Sequence, residues 1–143
     1  MKIFFSGISG TVMGNLAQMA SQNGHDVVGV DQKVYPPMSD ELIKSGISFD
    51  EGYTVENFQD ADIYILGNVI SKDNPLLIKI LSHGKNIMSG PEWLYESVLK
   101  DKKVIAIAGT RGKTTVTTMI AHALLEQGEN PGYLIAGVPK MLK

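Results

Sequence analysis

The chain of 143 residues has no cysteine. A disulfide framework, a thiolate zinc site and a cysteine nucleophile are therefore excluded together. Long apolar runs are missing too: nothing approaches the roughly 18 consecutive apolar residues of a membrane-spanning helix. The N-terminus runs straight into a short strand pattern, with no charged segment followed by a long apolar one, so the sequence predicts a cytoplasmic protein. Charge of one sign is absent as well. Thirteen Lys and Arg stand against fifteen Asp and Glu, a net charge of -2, which offers no electrostatic footing for nucleic acid or an anionic membrane surface. What is present is 43% apolar residues, enough for one good core, and length alone suggests one domain.

The organisation that these residues predict is strand, then helix, repeated. Lys2 to Ser6 is a short apolar run ending at Gly7, and Met13, Leu16, Ala17 and Ala20 then recur at helical spacing until Gly24. Asp26 to Asp31 is a valine-rich strand, Ser39 is placed to cap a short helix closed by Gly46, and Ile47 to Phe49 reads as a short strand. Asp62 to Gly67 is an apolar core strand; Asn74 before Pro75 is an N-cap with proline at the first helical position, with Leu76, Leu77, Ile80 and Leu81 on one face up to Gly84. Asn86 to Met88 is a further strand, and Ser89 with Glu92 forms a capping box for a helix turning Leu94, Tyr95, Val98 and Leu99 inward.

After the polar break Asp101-Lys102-Lys103 the pattern restarts. Val104 to Ala108 is an apolar strand running into Gly109-Thr110-Arg111-Gly112-Lys113-Thr114-Thr115, which opens a helix burying Val116, Ile120, Ala123 and Leu124 and closing at Gly128. This is the pattern of a phosphate-binding loop. Turn amides and a helix N-terminus face an anion, Gly112 permits close backbone approach, the Lys113 ammonium reaches outer phosphates, and the Thr114 hydroxyl can ligate Mg²⁺. The match is partial, because Ile107 stands where the strict pattern has its first glycine; an ordinary strand-to-helix turn with a solvated lysine is the plain alternative. Tyr133 to Val138 reads as one more strand. A phosphate-loop domain needs several parallel strands with helices on both faces, and about 40 residues cannot supply them. The expectation is a Rossmann-like α/β domain with a parallel sheet over 1–101, followed over 102–143 by the beginning of a P-loop ATPase domain.

The first half carries a nucleotide signal of its own. Gly7-Ile8-Ser9-Gly10-Thr11-Val12-Met13-Gly14 lies between the first strand and the first helix, and Asp31 ends the second strand. Glycines there let the backbone meet a pyrophosphate, and an acid at the second strand end can accept from ribose hydroxyls. The spacing departs from Gly-x-Gly-x-x-Gly, since Ser9 and Val12 replace the second and third glycines; a turn using glycine only for tight packing fits these residues also. His25, His83 and His122 have no cysteines or clustered carboxylates around them, so no metal or general-base role is assigned. Trp93, Met19, Met88 and Met119 sit at positions expected to be buried.

Gly109-Thr-x-Gly-Lys-Thr-Thr after an apolar strand, behind an N-terminal Gly7-Ile-x-Gly-x-x-Met segment, resembles the Mur ligase family of peptidoglycan enzymes. Gly7 to Ala17, Val34-Tyr35-Pro36-Pro37-Met38-Ser39, Gly67-Asn68 with Asn74-Pro75, and Met88-Ser89-Gly90-Pro91-Glu92-Trp93-Leu94 are similar to the branch that recycles murein peptides. The resemblance covers nearly the whole chain but only about the first third of the three-domain enzymes of the family. It implies attachment of L-alanyl-γ-D-glutamyl-meso-diaminopimelate to UDP-N-acetylmuramate, with ATP and Mg²⁺, through an acyl phosphate. It further implies that Gly7, Ile8, Ser9, Gly10, Thr11, Asp31 and Asn68 meet the UDP-sugar. Gly109, Thr110, Arg111, Gly112, Lys113, Thr114 and Thr115 would hold the ATP phosphates, with Lys113 as the catalytic clamp and Thr114 as the Mg²⁺ ligand. Arg111 stands where this branch has histidine, and Gly137-Val138-Pro139 begins like the family and then diverges. The remaining family machinery lies beyond residue 143. Two other readings stay open: a UDP-sugar-binding module without catalysis, and a Rossmann regulator binding NAD(P).

Overall fold

The computed structural model describes residues 1–68, 70–83, 86–135 and 142. They divide into two compact units, Met1–Asp101 and Lys102–Lys143.

The first unit is built on five parallel strands: β1 (Lys2–Ser6), β2 (Asp26–Asp31), β3 (Ser48–Glu51), β4 (Ile63–Leu66) and β5 (Asn86–Ser89), in the order β3-β2-β1-β4-β5. Central parallel strands are covered on both faces and so read as unbroken apolar runs. Phe4 and Phe5, adjacent in β1, accordingly have no exposed surface, and each contributes roughly 1.5–3 kcal/mol by leaving water. On one face Phe4, Val28, Val30 and Tyr64 pack with Leu76 and Ile80 of α3 (Pro75–Ser82). On the other, Phe5 meets the edge of Trp93 with ring centroids 6.1 Å apart. Trp93 belongs to α4 (Gly90–Leu94), and Leu16, Ala17 and Ala20 of α1 (Thr11–Gln22) are buried.

Local signals set most boundaries. The Asn74 side chain accepts from the Leu76 and Leu77 amides with Pro75 at the first helical position, and Ser89 and Glu92 form the reciprocal capping box. Ser39 does not cap. Helix α2 (Met38–Lys44) starts two residues earlier than a Ser39 cap would set it, because Pro37 already has helical dihedrals and, as a proline, no amide that needs a partner there. The capped helix beginning at Gly90 widens into a π-helical turn at Tyr95–Leu99 that leaves Tyr95 exposed, so Trp93 is the side chain that enters the core. Leu81 is exposed as well.

The second unit contains α5 (Lys113–Glu126), entered through Gly112 in the left-handed region at φ 77°. Its small core joins Ala121, Ile135 and Leu142, with the Tyr133 hydroxyl donating to the Leu142 carbonyl at 2.7 Å. Val104 to Ala108 and Tyr133 to Ile135 are not strands here: a strand exists only when its amides and carbonyls find a ladder partner, and none forms among the described residues of this unit. For the same reason Val104, Ile105, Val116 and Met119 are exposed rather than buried, and Ala121 replaces the expected face of α5. Gly84 and Gly137 to Pro139 lie outside the described residues. Among the described residues no helix is long and apolar enough to cross a membrane.

Candidate functional site

In the first unit the chain runs outward from β1 to β2 and β3, then returns to place β4 on the other side of β1. The loops leaving β1 and β4 therefore diverge, which opens a crevice beyond the carboxyl ends of the strands. Two glycines meet at its floor. Gly7 has φ 75°, and the Gly67 Cα lies 3.8 Å from where a Gly7 Cβ would stand; a Cβ on Gly67 would come within 2.8 Å of the Ser6 carbonyl. Gly67 thus has no room for a side chain, and the left-handed backbone favours glycine at 7.

The turn after β1 is held from within. Gly7 and Ile8 donate their amides to the Val30 carbonyl at 2.8 and 3.3 Å, and Gly10 donates to the Gly7 carbonyl at 3.0 Å. The Ser9 amide donates to Asp31 Oδ2 at 2.8 Å, and the Ser9 hydroxyl also donates to that oxygen. Four expected anion donors are thus already engaged. The Ile8 side chain is fully buried and occupies the space beside Gly29. The amides that precede the first bond of α1, Gly14 to the Gly10 carbonyl at 2.7 Å, are those of Thr11, Val12 and Met13. No side chain caps this end and no acid lies in its first turn, so the positive end of α1 faces outward beside the exposed Gly10 and Thr11. An oxyanion would be met by the helix, with the glycine turn as its frame.

Asp31 is also more engaged than its position in the sequence suggests. Besides the two Ser9 donors it accepts from the Gln32 amide at 2.7 Å and from the Tyr53 hydroxyl at 2.9 Å, both on Oδ1. A carboxylate offers about four acceptor positions, and here four protein donors fill them while the residue is 8% exposed. Burial and the hydrogen bond to Asp31 hold the Tyr53 phenol above the ordinary tyrosine range, so it stays a donor. Tyr53 in turn accepts the Asn74 side-chain amide on its carbonyl at 3.1 Å. The sequence carries no signal for Tyr53, or for the Val12 and Met13 amides as donors. A lone tyrosine after an isolated Gly52 gives no periodic signal, and a main-chain donor has no side-chain signature. Asn68 is exposed next to Gly67 at the crevice.

In the second unit Gly112 starts α5 with open space where its Cβ would be. The amides of Lys113, Thr114 and Thr115 precede the first bond of that helix, Val116 to the Gly112 carbonyl at 2.9 Å. Lys113 Nζ donates to the Gly109 carbonyl at 2.7 Å, so the ammonium is folded over the loop that Thr110 and Arg111 complete, and all of Gly109 to Thr115 is exposed. Among the described residues no group of three His, Asp or Glu could hold a metal.

Both units thus begin a helix on a glycine turn with unengaged donors. Residues 2–103 match the Mur ligase family, catalytic domain. The chain belongs to the Mur ligase family. It is 45% identical over 140 residues to the UDP-N-acetylmuramate–L-alanyl-γ-D-glutamyl-meso-2,6-diaminoheptandioate ligase of Escherichia coli (strain K12), covering 97% of this chain and 31% of that protein. The crystal structure of a murein peptide ligase Mpl from Psychrobacter arcticus superposes with a TM-score of 0.93 at 44% identity, over 97% of this chain and 29% of that one. UDP-N-acetylmuramate-alanine ligase MurC from Thermotoga maritima gives 0.89 at 30% identity, over 97% and 32%. The five-stranded parallel sheet is the α/β fold of the N-terminal domains of this family. The chain spans about a third of the length of the curated relatives it matches, and the family match ends before the Val104–Thr115 segment.

Proposed function

We propose that the chain is the N-terminal part of an ATP-dependent Mur ligase joining L-alanyl-γ-D-glutamyl-meso-diaminopimelate to UDP-N-acetylmuramate. The observation that carries this reading is the likeness to the murein peptide ligase, at a TM-score of 0.93 and 44% identity, against 30% for the L-alanine-adding relative. Residues 1–101 hold the UDP-sugar and residues 102–143 begin the P-loop domain that holds ATP. A reaction consuming ATP and a UDP-sugar belongs in the cytoplasm.

The chemistry needs both sites. A carboxylate is a poor acylating agent because it would have to expel oxide. Transfer of a phosphoryl group to one carboxylate oxygen creates a leaving group, which the peptide amine displaces as the amide bond forms. The protein supplies position and neutralises charge on the transferring group. The Thr11, Val12 and Met13 amides, with the Thr11 hydroxyl, take the UDP diphosphate, Gly7 and Gly10 shape the turn beneath it, and Asn68 lines the crevice. Asp31 orders the turn and the start of the uridine side. The Lys113–Thr115 amides and the Lys113 ammonium take the outer phosphates of ATP, flanked by Gly109, Thr110, Arg111 and Gly112. The residues fit Mg²⁺ as a partial site: the Thr114 hydroxyl would be one ligand, and phosphate oxygens and water the rest. Bound there, the ion neutralises phosphate charge.

The engaged Asp31 argues against the NAD(P) regulator, because the acid that would accept a ribose diol has no vacant acceptor position. Titration calorimetry of this chain with UDP-N-acetylmuramate and with NAD decides between them. Saturable binding of the UDP-sugar alone is expected; saturable NAD binding without a response to UDP-sugars overturns the proposal.

A further inference from the structure

The loop that leaves β2 carries the most exposed large apolar side chain among the described residues, Tyr35 at 68%. A single exposed aromatic is ordinarily without consequence. This one stands on a backbone tied down at almost every step. The Ser9 hydroxyl oxygen lies 3.1 Å from the Lys33 carbonyl, the Val34 amide donates to Glu51 Oε1 at 3.0 Å, and the Ser39 amide donates to the Tyr35 carbonyl at 3.3 Å. Pro36 and Pro37 follow, and the Met38 sulfur packs directly over Gly14 of α1. The residue beside the Lys33 carbonyl is the same Ser9 that belongs to the turn in front of α1. Tyr35 is two residues further, at most about 7 Å of chain. Its backbone is therefore held near that turn, at the end of β2, by a segment whose ordering cost was met on folding, and its ring is open to solvent.

A nucleoside diphosphate whose phosphates sit on the α1 N-terminus extends along the carboxyl ends of the strands, and the β2 end is where the nucleoside lies in doubly wound sheets. An aromatic face there meets the flat face of a base, and neither needs a hydrogen bond to do so. We infer that Tyr35 is a base-stacking residue for the pyrimidine nucleotide held at α1. This rests on the UDP-sugar reading and adds to it the side chain that binds the base.

The test is calorimetry of the 143-residue chain with UDP, with 5,6-dihydro-UDP, whose saturated base is no longer flat, and with pyrophosphate. The unsubstituted chain is expected to bind UDP about tenfold more tightly than dihydro-UDP. In Tyr35→Ala that gap closes while pyrophosphate binding is unchanged, and Tyr35→Phe keeps the gap. A gap that persists in Tyr35→Ala, or pyrophosphate affinity that falls as far as UDP affinity does, overturns the inference and leaves the UDP site standing. An unsubstituted chain that binds neither UDP nor pyrophosphate overturns the UDP-sugar reading itself.

Discussion

The Tyr53 hydroxyl donates to Asp31 Oδ1 across 2.9 Å, linking the turn after β3 to the end of β2. That bond supplies the fourth donor on a carboxylate already gripped by Ser9 and by the Gln32 amide. It changes the role of Asp31 from an acceptor facing ligand to the anchor of the turn that precedes α1. Removing the hydroxyl in Tyr53→Phe is expected to cost about 1.5–3 kcal/mol, the range for a hydrogen bond to a charged group, reduced toward the lower figure by partial exposure. Urea unfolding measures it. A variant with unchanged stability would mean that the carboxylate is not held by this bond.

The same pair sets an alkaline limit. The Tyr53 phenol is raised from its ordinary value of 10.0, first by burial and then by Asp31. Its contribution is fully present below that value, where both folded and unfolded chains keep the proton. Above it the unfolded chain ionises while the folded one does not, so stability falls with rising pH. The loss from about pH 10 upward should be shallower in Tyr53→Phe than in the unsubstituted chain, read from paired urea curves across that window.

Gly10 tests the proposed anion site without a backbone penalty. Its φ of -62° and ψ of 138° suit a branched residue, and its Cβ would stand 3.2 Å from the Gly7 carbonyl, a tight but local contact. In Gly10→Val the side chain would crowd the mouth of the α1 N-terminus. UDP-sugar affinity is expected to fall at least tenfold while the melting temperature moves by only a few degrees. Unfolding without loss of ligand binding in the surviving fold would make Gly10 a packing residue.

Asn74 joins two elements. Its side-chain oxygen caps α3 and its amide holds the Tyr53 carbonyl at 3.1 Å. Asn74→Ala is expected to cost about 0.5–2 kcal/mol for the cap and to lower UDP-sugar affinity through the displaced Tyr53. Asn74→Asp keeps the capping oxygen and loses the amide donor, so stability should recover more than affinity does. Equal recovery of both would separate Tyr53 from the site.

Lys113 is proposed as the clamp on the ATP phosphates. Residues 1–143 with UDP-N-acetylmuramate, tripeptide, ATP and Mg²⁺ are expected to release no ADP, because the phosphoryl group and the carboxylate need walls that two open helix ends do not supply. A protein of the relatives' length carrying this chain should release ADP and form the joined product, and Lys113→Ala in it should abolish both. Product from the 143 residues alone, or an active Lys113→Ala protein, would refute the assigned clamp.

The strands β1 and β2 were legible to the residue because both are buried on two faces, β1 as an apolar run closed by Gly7 and β2 as a valine-rich run between Asp26 and Asp31. The Asn74 cap and the Ser89–Glu92 box were legible because every partner lies within three residues. Glycine at 7 and 10, and the Gly112-Lys113-Thr114 segment, marked the turns that open α1 and α5 for a similar reason: helix N-termini and the turns before them are local. Which amides remain open was not legible, since Gly7 and Ile8 are engaged by Val30 from another strand.

Sequence alone therefore determined the order of strands and helices in the first unit, the Asn74 cap and the Ser89–Glu92 box, the absence of thiol chemistry and the two glycine turns from which α1 and α5 start. Tertiary structure decided the rest. It turned Asp31 inward through Tyr53, 22 residues away, and set Gly67 against Gly7 across the switch between β4 and β1. It also left Val104 to Ala108 without a ladder in this unit. Local propensities act over three or four residues, whereas filling a carboxylate or completing a strand needs donors and acceptors brought from distant segments, and only the folded chain fixes which ones arrive.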